Sequence, residues 1–277
     1  MTAMRLLIAT CLVVSASVSN ASEDLLLALK GEWIQGGILR GQVVPGSEVR
    51  VNDEAIDVGP QGEIVLGLGR DEPETVLLNV RKGEQSWSKR YPVARKDYKI
   101  QRVEGVPQQT VTPSAAQRER SRKEAEKVWL ARQTQRATTD YMQEFQWPVL
   151  GPISGVYGSQ RFYNGEPRRP HYGVDVARPT GTKVVAPAAG LVTLAEPDLF
   201  YSGGTLIIDH GHRLTSTFLH LSKLHVAVGQ AVEQGDLIGE VGASGRATGP
   251  HLDWRMNWRD RRVDPTTLVG PMPEWQE

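Results

Sequence analysis

Beyond Trp147-Pro148 the chain is cut into short apolar stretches by recurring glycines, and no stretch keeps a helical period through to the C-terminus. That pattern restricts residues 147–277 to one all-β domain. All six histidines of the chain lie in it. A second β-rich region precedes it. Val49 and Val51, then Ile56 and Val58, alternate around Asn52-Asp53-Glu54, and Gly59-Pro60-Gln61-Gly62 marks a turn before Ile64-Val65-Leu66. Val76 to Val80 is followed by Lys82-Gly83. Strands at this spacing predict a small β-sandwich over 22–105, a packing or binding module without a histidine. A length of 277 residues suits two such units.

Residues 106–146 are expected to be linker and helix. Thr112 and Pro113 fit a helix start. From Ser114 to Gln146 there is no glycine or proline, and Arg118, Arg120, Arg122, Lys123 and Lys127 are interspersed with Glu119, Glu124 and Glu126. This reads as a solvated connecting helix with Glu–Lys pairs, packed onto a neighbour by Trp129, Tyr141, Met142 and Phe145. The interspersed acids argue against a nucleic-acid face, as does the overall balance of 32 basic and 32 acidic residues.

Residues 1–21 read as an export signal: Arg5, a short apolar run from Leu6 to Val14, and Ser19 and Ala21 at cleavage-site spacing. The expectation is an exported chain, periplasmic or extracellular, with no membrane span after cleavage. The single cysteine, Cys11, would leave with the signal. Neither a disulfide scaffold nor a cysteine-based metal site is then available, so any metal must be held by histidine and carboxylate.

Three elements carry chemistry. His171 and Asp175, four apart in an extended segment, fall on one side and can converge on an ion such as zinc. His251-Leu252-Asp253 follows a flexible run from Gly242 to Pro250. A strand there puts His251, Asp253 and Arg255 on one face and Leu252, Trp254 and Met256 on the other. His220 lies on a strand from Thr215 to Leu221, paired with Thr205–Asp209 across a turn at His210-Gly211-His212-Arg213. Singly, each has an ordinary reading: a surface pair, a strand with one polar face, a core histidine.

Taken in order, these elements resemble the lysostaphin/LytM family of peptidoglycan zinc metallopeptidases. The resemblance runs over about 150–265, through HYGVD at 171–175, VVAPAAGLV at 184–192, GGTLIIDHGHRLTSTFLHLSKL at 203–224 and VGQAVEQGDLIGEVGASGRATGPHLDW at 228–254. It implies a LytM-like, biotinyl/lipoyl-hybrid-like β-domain with Zn2+ at the floor of a groove. His171 and Asp175 would be ligands, and His220 and His251 catalytic. The family's H-x-H motif reads His251-Leu252-Asp253 here, so the third ligand would be Asp253. Such a set offsets both charges of the ion; the rival reading pairs Asp253 with Arg255 and loses the metal. The implied function is a secreted endopeptidase cleaving peptidoglycan peptides. The alternative is a catalytically degenerate domain regulating another cell-wall hydrolase, and a regulatory or activating cell-envelope protein is an admissible partner of either. A biotinyl or lipoyl carrier is excluded, because a carrier needs a lysine and none follows Lys223. His210, His212 and His225 are read as structural or surface residues.

Overall fold

The computed structural model describes residues 25–103, 114–163 and 165–275. The export signal read at 1–21 and the helix start read at Thr112-Pro113 lie outside them. Among the described residues, no helix is long and apolar enough to cross a membrane.

The first region is built of strands β1 (Leu26–Lys30), β2 (Ile38–Val43), β3 (Glu48–Val51), β4 (Glu54–Ile56), β5 (Glu63–Gly67), β6 (Thr75–Lys82) and β7 (Gln85–Pro92). They form two sheets, in the orders β1-β2-β5 and β4-β3-β6-β7. The alternation read from sequence sets the inward faces: Val49, Val51, Ile56, Val76, Leu78 and Val80 are all buried. Asn52 and Asp53 both have positive φ, +46° and +67°, which closes the tight β3–β4 hairpin with the twist its strands require. Strand β8 (Ile100–Val103) leaves this region and pairs in parallel with a strand of the second.

Helix α1 (Ala115–Ala131) is capped by Ser114, whose hydroxyl accepts from the Gln117 amide while the Gln117 side chain bonds back to Ser114. The sequence predicts helix to about Gln146; the helix ends at Ala131. The following residues are drawn off by tertiary hydrogen bonds: Arg136 donates to the Asp209 carbonyl, and the His212 amide donates to the Arg136 carbonyl. Gly211 makes this approach possible, since a Cβ there would lie 1.9 Å from the Thr138 carbonyl oxygen. Trp129 does not pack the helix down, being 55% exposed. Val128 and Ala131 pack its end against Leu194, Leu199 and Ile207, and polar groups hold the rest: Arg120 bonds Asp198, Lys127 bonds Glu196, and Glu124 accepts from the Phe200 amide. Tyr141 and Phe145 are buried, but beyond the helix.

The second region comprises β9 (Ile153–Gly155), β10 (Gln160–Tyr163), β11 (Glu166–Pro167), β12 (Gly173–Ala177), β13 (Lys183–Val185), β14 (Gly190–Leu199), β15 (Gly203–Asp209), β16 (Leu214–Leu221), β17 (Lys223–Leu224), β18 (Ala231–Val232), β19 (Leu237–Glu240), β20 (His251–Trp258) and β21 (Arg261–Val263), then the one-turn helix α2 (Thr266–Val269). Its main sheet runs β18-β14-β15-β16-β20-β12-β9, with β21 paired to β20. One face carries Leu206, Ile208, Phe218, Leu252, Trp254 and Met256 into the core. Trp147 packs edge-on against Trp254, ring centroids 5.9 Å apart.

The two regions share one hydrophobic core. Gly67 of β5 lies so close to Trp258 and Val263 that a Cβ would sit 2.7 and 2.8 Å from their side-chain atoms. Lys96 pairs with buried Asp264, Arg259 and Arg261 both bond Glu54, and Tyr98 packs edge-on to Tyr157 at 6.2 Å. Residues 147–277 expressed alone would bare Trp258, Val263 and Tyr157 and leave Asp264 without its lysine. Such a protein is expected to melt at least 10 °C below the full chain or to aggregate, as a scanning-calorimetry comparison would show. Equal melting temperatures would contradict the shared core.

The β15–β16 hairpin buries Asp209 and His210. Burial raises the Asp209 carboxyl to about 6, against the bond it accepts from the Gly211 amide, and lowers the His210 imidazole to about 4. His210 is satisfied as a neutral ring between the Ala189 carbonyl and Ser216. An acid whose pKa is raised by folding stabilises the protein below its unfolded value and loses that contribution as pH rises through about 6. Asp209→Asn should therefore gain on the wild type by about 2–3 kcal/mol between pH 4 and pH 8, measured by urea unfolding, whatever its offset at either pH. A pH-independent difference would be the contrary result.

Candidate metal centre and its surroundings

Strand β20 alternates as its sequence requires. Leu252, Trp254, Met256 and Trp258 are buried in the core, and His251, Asp253, Arg255 and Asn257 occupy the opposite face. In the antiparallel ladder with β12, Asp175 stands directly opposite Asp253. Like charges in that position repel, so the pair calls for a cation.

His171, Asp175 and Asp253 each present a ligand atom, and these atoms all lie within 4.8 Å of one another. His171 Nε2 and Asp175 Oδ1 are 3.1 Å apart but not aligned as a hydrogen bond, and both are buried without a hydrogen-bond partner. Buried polar atoms left in this way are costly unless something else satisfies them. One imidazole and two carboxylates form a donor set suited to a divalent ion such as zinc, so the residues present fit the metal implied by the sequence resemblance.

Two glycines make room for the carboxylates. A Cβ on Gly155 would lie 2.1 Å from Asp175 Oδ2, and one on Gly173 would lie 2.3 Å from Asp253 Oδ1. Neither was singled out as a site residue from sequence; the available signal was a glycine inside a strand, which often marks a close approach. Gly173 also stands opposite Arg255 in the ladder, and the Arg255 side chain passes over it.

Arg255 does pair with Asp253. Its Nε lies 3.0 Å from both carboxylate oxygens and its Nη2 lies 2.5 Å from Oδ2. Burial pushes the Asp253 carboxyl upward, but the charge and hydrogen bonds of Arg255 outweigh it and hold the group below its ordinary value. The sequence set metal binding and the Arg255 pair against each other. The Arg255 contacts are made in the structure, and the carboxylate's two oxygens offer about four acceptor positions, enough to admit a further ligand contact.

His220 and His251 flank the cluster, their ring centroids 4.8 Å apart. Strict alternation would send His220 to the Phe218 side, into the core. Its φ of +64° breaks the alternation just where the β16–β20 ladder ends at Leu219–Asp253, a strained conformation of the kind found at functional sites. His220 Nδ1 donates to the Ser244 carbonyl and His251 Nδ1 to the Gly249 carbonyl, both at 2.8 Å. A carbonyl only accepts, so each ring carries its proton on Nδ1 and leaves Nε2 as an acceptor in the neutral state. Burial lowers the His220 pKa, with the Ser244 bond opposing. The other histidines lie elsewhere: His210 in the hairpin, His212 against the Tyr141 hydroxyl at 3.0 Å, and His225 against Glu240 at 2.9 Å.

A His–Asp–Asp cluster on one face of a β-sheet, with two imidazoles fixed beside it, has the form of a metallopeptidase site. Comparison with known proteins agrees: residues 169–265 match the model of Peptidase family M23. The chain is 36% identical over 139 residues to the peptidoglycan DD-endopeptidase ShyA of Vibrio cholerae, covering 50% of this chain and 31% of that protein. It is 38% identical over 106 residues to the DD-carboxypeptidase/endopeptidase Mpg of Neisseria meningitidis, covering 38% of this chain and 24% of that one. The chain thus spans about a third or less of the length of these curated relatives. A crystal structure from Pseudomonas aeruginosa assigned to peptidase M23 is similar across both regions, with a TM-score of 0.68, 29% identity, and coverage of 91% of this chain and 99% of that one. The mainly β fold and the lysostaphin/LytM resemblance expected from sequence therefore hold.

Gly173→Ala tests the geometry. Its methyl group would displace the Asp253 carboxylate from Arg255, and overpacking of this kind costs about 1–3 kcal/mol. A drop in chemical-denaturation stability of that size, together with weakened metal uptake, is expected; a variant with wild-type stability and uptake would mean that β12 and β20 separate easily.

Proposed function

We propose that the protein is an exported zinc metalloendopeptidase that cleaves peptidoglycan peptides in the cell envelope. The observation that carries this reading is the convergence of His171, Asp175 and Asp253 beside two histidines whose free Nε2 atoms are set by hydrogen bonds. The M23 match and relatives named for peptidoglycan endopeptidase activity support the substrate class. His171, Asp175 and Asp253 would hold the ion, whose Lewis acidity would polarise a peptide carbonyl and acidify water.

The chain's own groups would manage the proton. His251 Nε2 or His220 Nε2 accepts it from water as general base. The imidazolium so formed has an Nε2–H, which can stabilise an oxyanion or return the proton to the leaving amine. The Nδ1 bonds to Gly249 and Ser244 hold both rings throughout. Arg255 orients Asp253 and offsets one of the two carboxylate charges that face each other.

A second reading, a metal-free domain that regulates another hydrolase, is favoured by one observation, the close Arg255 contact to both oxygens of Asp253. Zinc content decides between them. The wild type, purified without chelator and re-supplied with zinc, is expected to hold one ion per chain. His171→Ala and Asp253→Ala should lose it, and Asp253→His should retain it. His251→Ala should keep the ion while cleavage of purified peptidoglycan, followed by mass analysis of the products, falls by about 10²–10⁴-fold. A wild type that takes up no zinc at excess would end the enzyme reading in favour of the regulator. Zinc surviving Asp253→Ala would move the third ligand to another residue.

A further inference from the structure

Past the His–Asp–Asp cluster, the polar face of β20 meets arginines of which three have no carboxylate partner among the described residues. Thr217 stands opposite Arg255 in the β16–β20 ladder, and Thr215 opposite Asn257. Arg132, from the segment after α1, brings Nη2 to within 3.2 Å of Thr217 Oγ1, while its Nε is buried without a partner. Arg262 of β21 is directly opposite Asn257 and places Nη1 3.2 Å from Asn257 Oδ1. Arg169 and Arg262 both hold their guanidinium carbon 5.9 Å from the Tyr172 ring. Of these four arginines only Arg255 has a carboxylate within 4.0 Å among the described residues.

Burial lowers the pKa of Arg132 and takes that of Arg262 down to about 10, and in both cases the neighbouring arginines push the same way. Guanidiniums crowded and desolvated without a counter-ion are costly to a fold. Their planar fork matches a carboxylate, which it binds with paired hydrogen bonds.

We propose that Arg132, Arg262 and Arg169 form a subsite for a free carboxylate of the substrate peptide, so that the protein selects acidic peptides over their amidated forms. The inference rests on the peptidase reading above and names the feature of the substrate that is read. Arg255 and Asn257 lie two and four residues beyond Asp253 on β20, roughly 7 and 13 Å along an extended strand. A peptide lying extended along this face of β20 would bring to the arginines a carboxylate about two to four residues from its cleaved bond. The linker after α1 thereby contributes Arg132 to the face that carries the His–Asp–Asp cluster.

The experiment uses the full zinc-supplied chain and two preparations of muropeptides from purified peptidoglycan, one with free carboxylates and one amidated with carbodiimide and ammonia. kcat/KM is measured for both in the wild type, Arg132→Gln, Arg262→Gln and Arg262→Lys, with melting curves to verify folding. The wild type should prefer the free-acid peptides by at least about 10-fold, the scale of a charge-assisted hydrogen bond. Each glutamine variant should lose most of that preference through slower use of the acidic peptide, and Arg262→Lys should keep part of it. Equal use of both preparations by the wild type overturns the subsite, as does an undiminished preference in folded glutamine variants. If neither preparation is cleaved, the peptidase reading fails, and calorimetric titration of the same peptides judges the subsite alone. Tighter binding of the acidic form that weakens in Arg132→Gln or Arg262→Gln upholds it; equal binding of both forms overturns it.

Discussion

Two carboxylates facing each other across a buried antiparallel ladder set the terms for the rest of the site. Asp175 and Asp253 occupy opposed positions on β12 and β20, where unscreened repulsion would force the strands apart or protonate one acid. Arg255 answers part of that charge from the same face of β20, and the orphaned atoms of His171 and Asp175 mark where a divalent ion would answer the remainder. The glycines at 155 and 173 follow from the same requirement, because any side chain there would occupy the space of the carboxylates.

The region before residue 103 supports this centre rather than standing apart from it. Strand β5 is packed against Trp258 and Val263, at the end of the strand that carries His251, Asp253 and Arg255. Ion pairs from Glu54 and Lys96 fix β21 and the turn after it. Strand β8 extends a sheet with β10 and β11 just ahead of His171. A shared core of this kind resists sliding between the two regions, since apolar surface would have to be exposed for them to move.

The linker after α1 changes from connector to wall. Its residues abandon the helix because hydrogen bonds to Asp209, His212 and Thr217 are available along β15 and β16. Those contacts bring the Arg132 side chain to the sheet face that carries the His–Asp–Asp cluster. The face so formed is acidic at the two aspartates beside His171 and basic at Arg132 and Arg262.

Much of this was legible in the sequence, for a local reason. Period-two alternation decides which side of a strand a residue faces, so His251, Asp253 and Arg255 were assigned together, as were His171 and Asp175 four positions apart. The Asn52-Asp53 hairpin and the glycine-bounded turns are equally local. Other features depend on neighbours distant in sequence. His220 reaches the site only because its backbone takes a positive φ where the β16–β20 pairing ends, and alternation alone placed it in the core. The helix stops at Ala131 because partners about 80 residues away compete for the backbone and side chains that follow it. For Asp253, spacing along one strand allows either a metal ligand or the partner of Arg255, because it cannot show what faces the residue from another strand. Only the ladder with β12 sets Asp175 against it, so that one carboxylate meets both the guanidinium of Arg255 and the charge of a second acid.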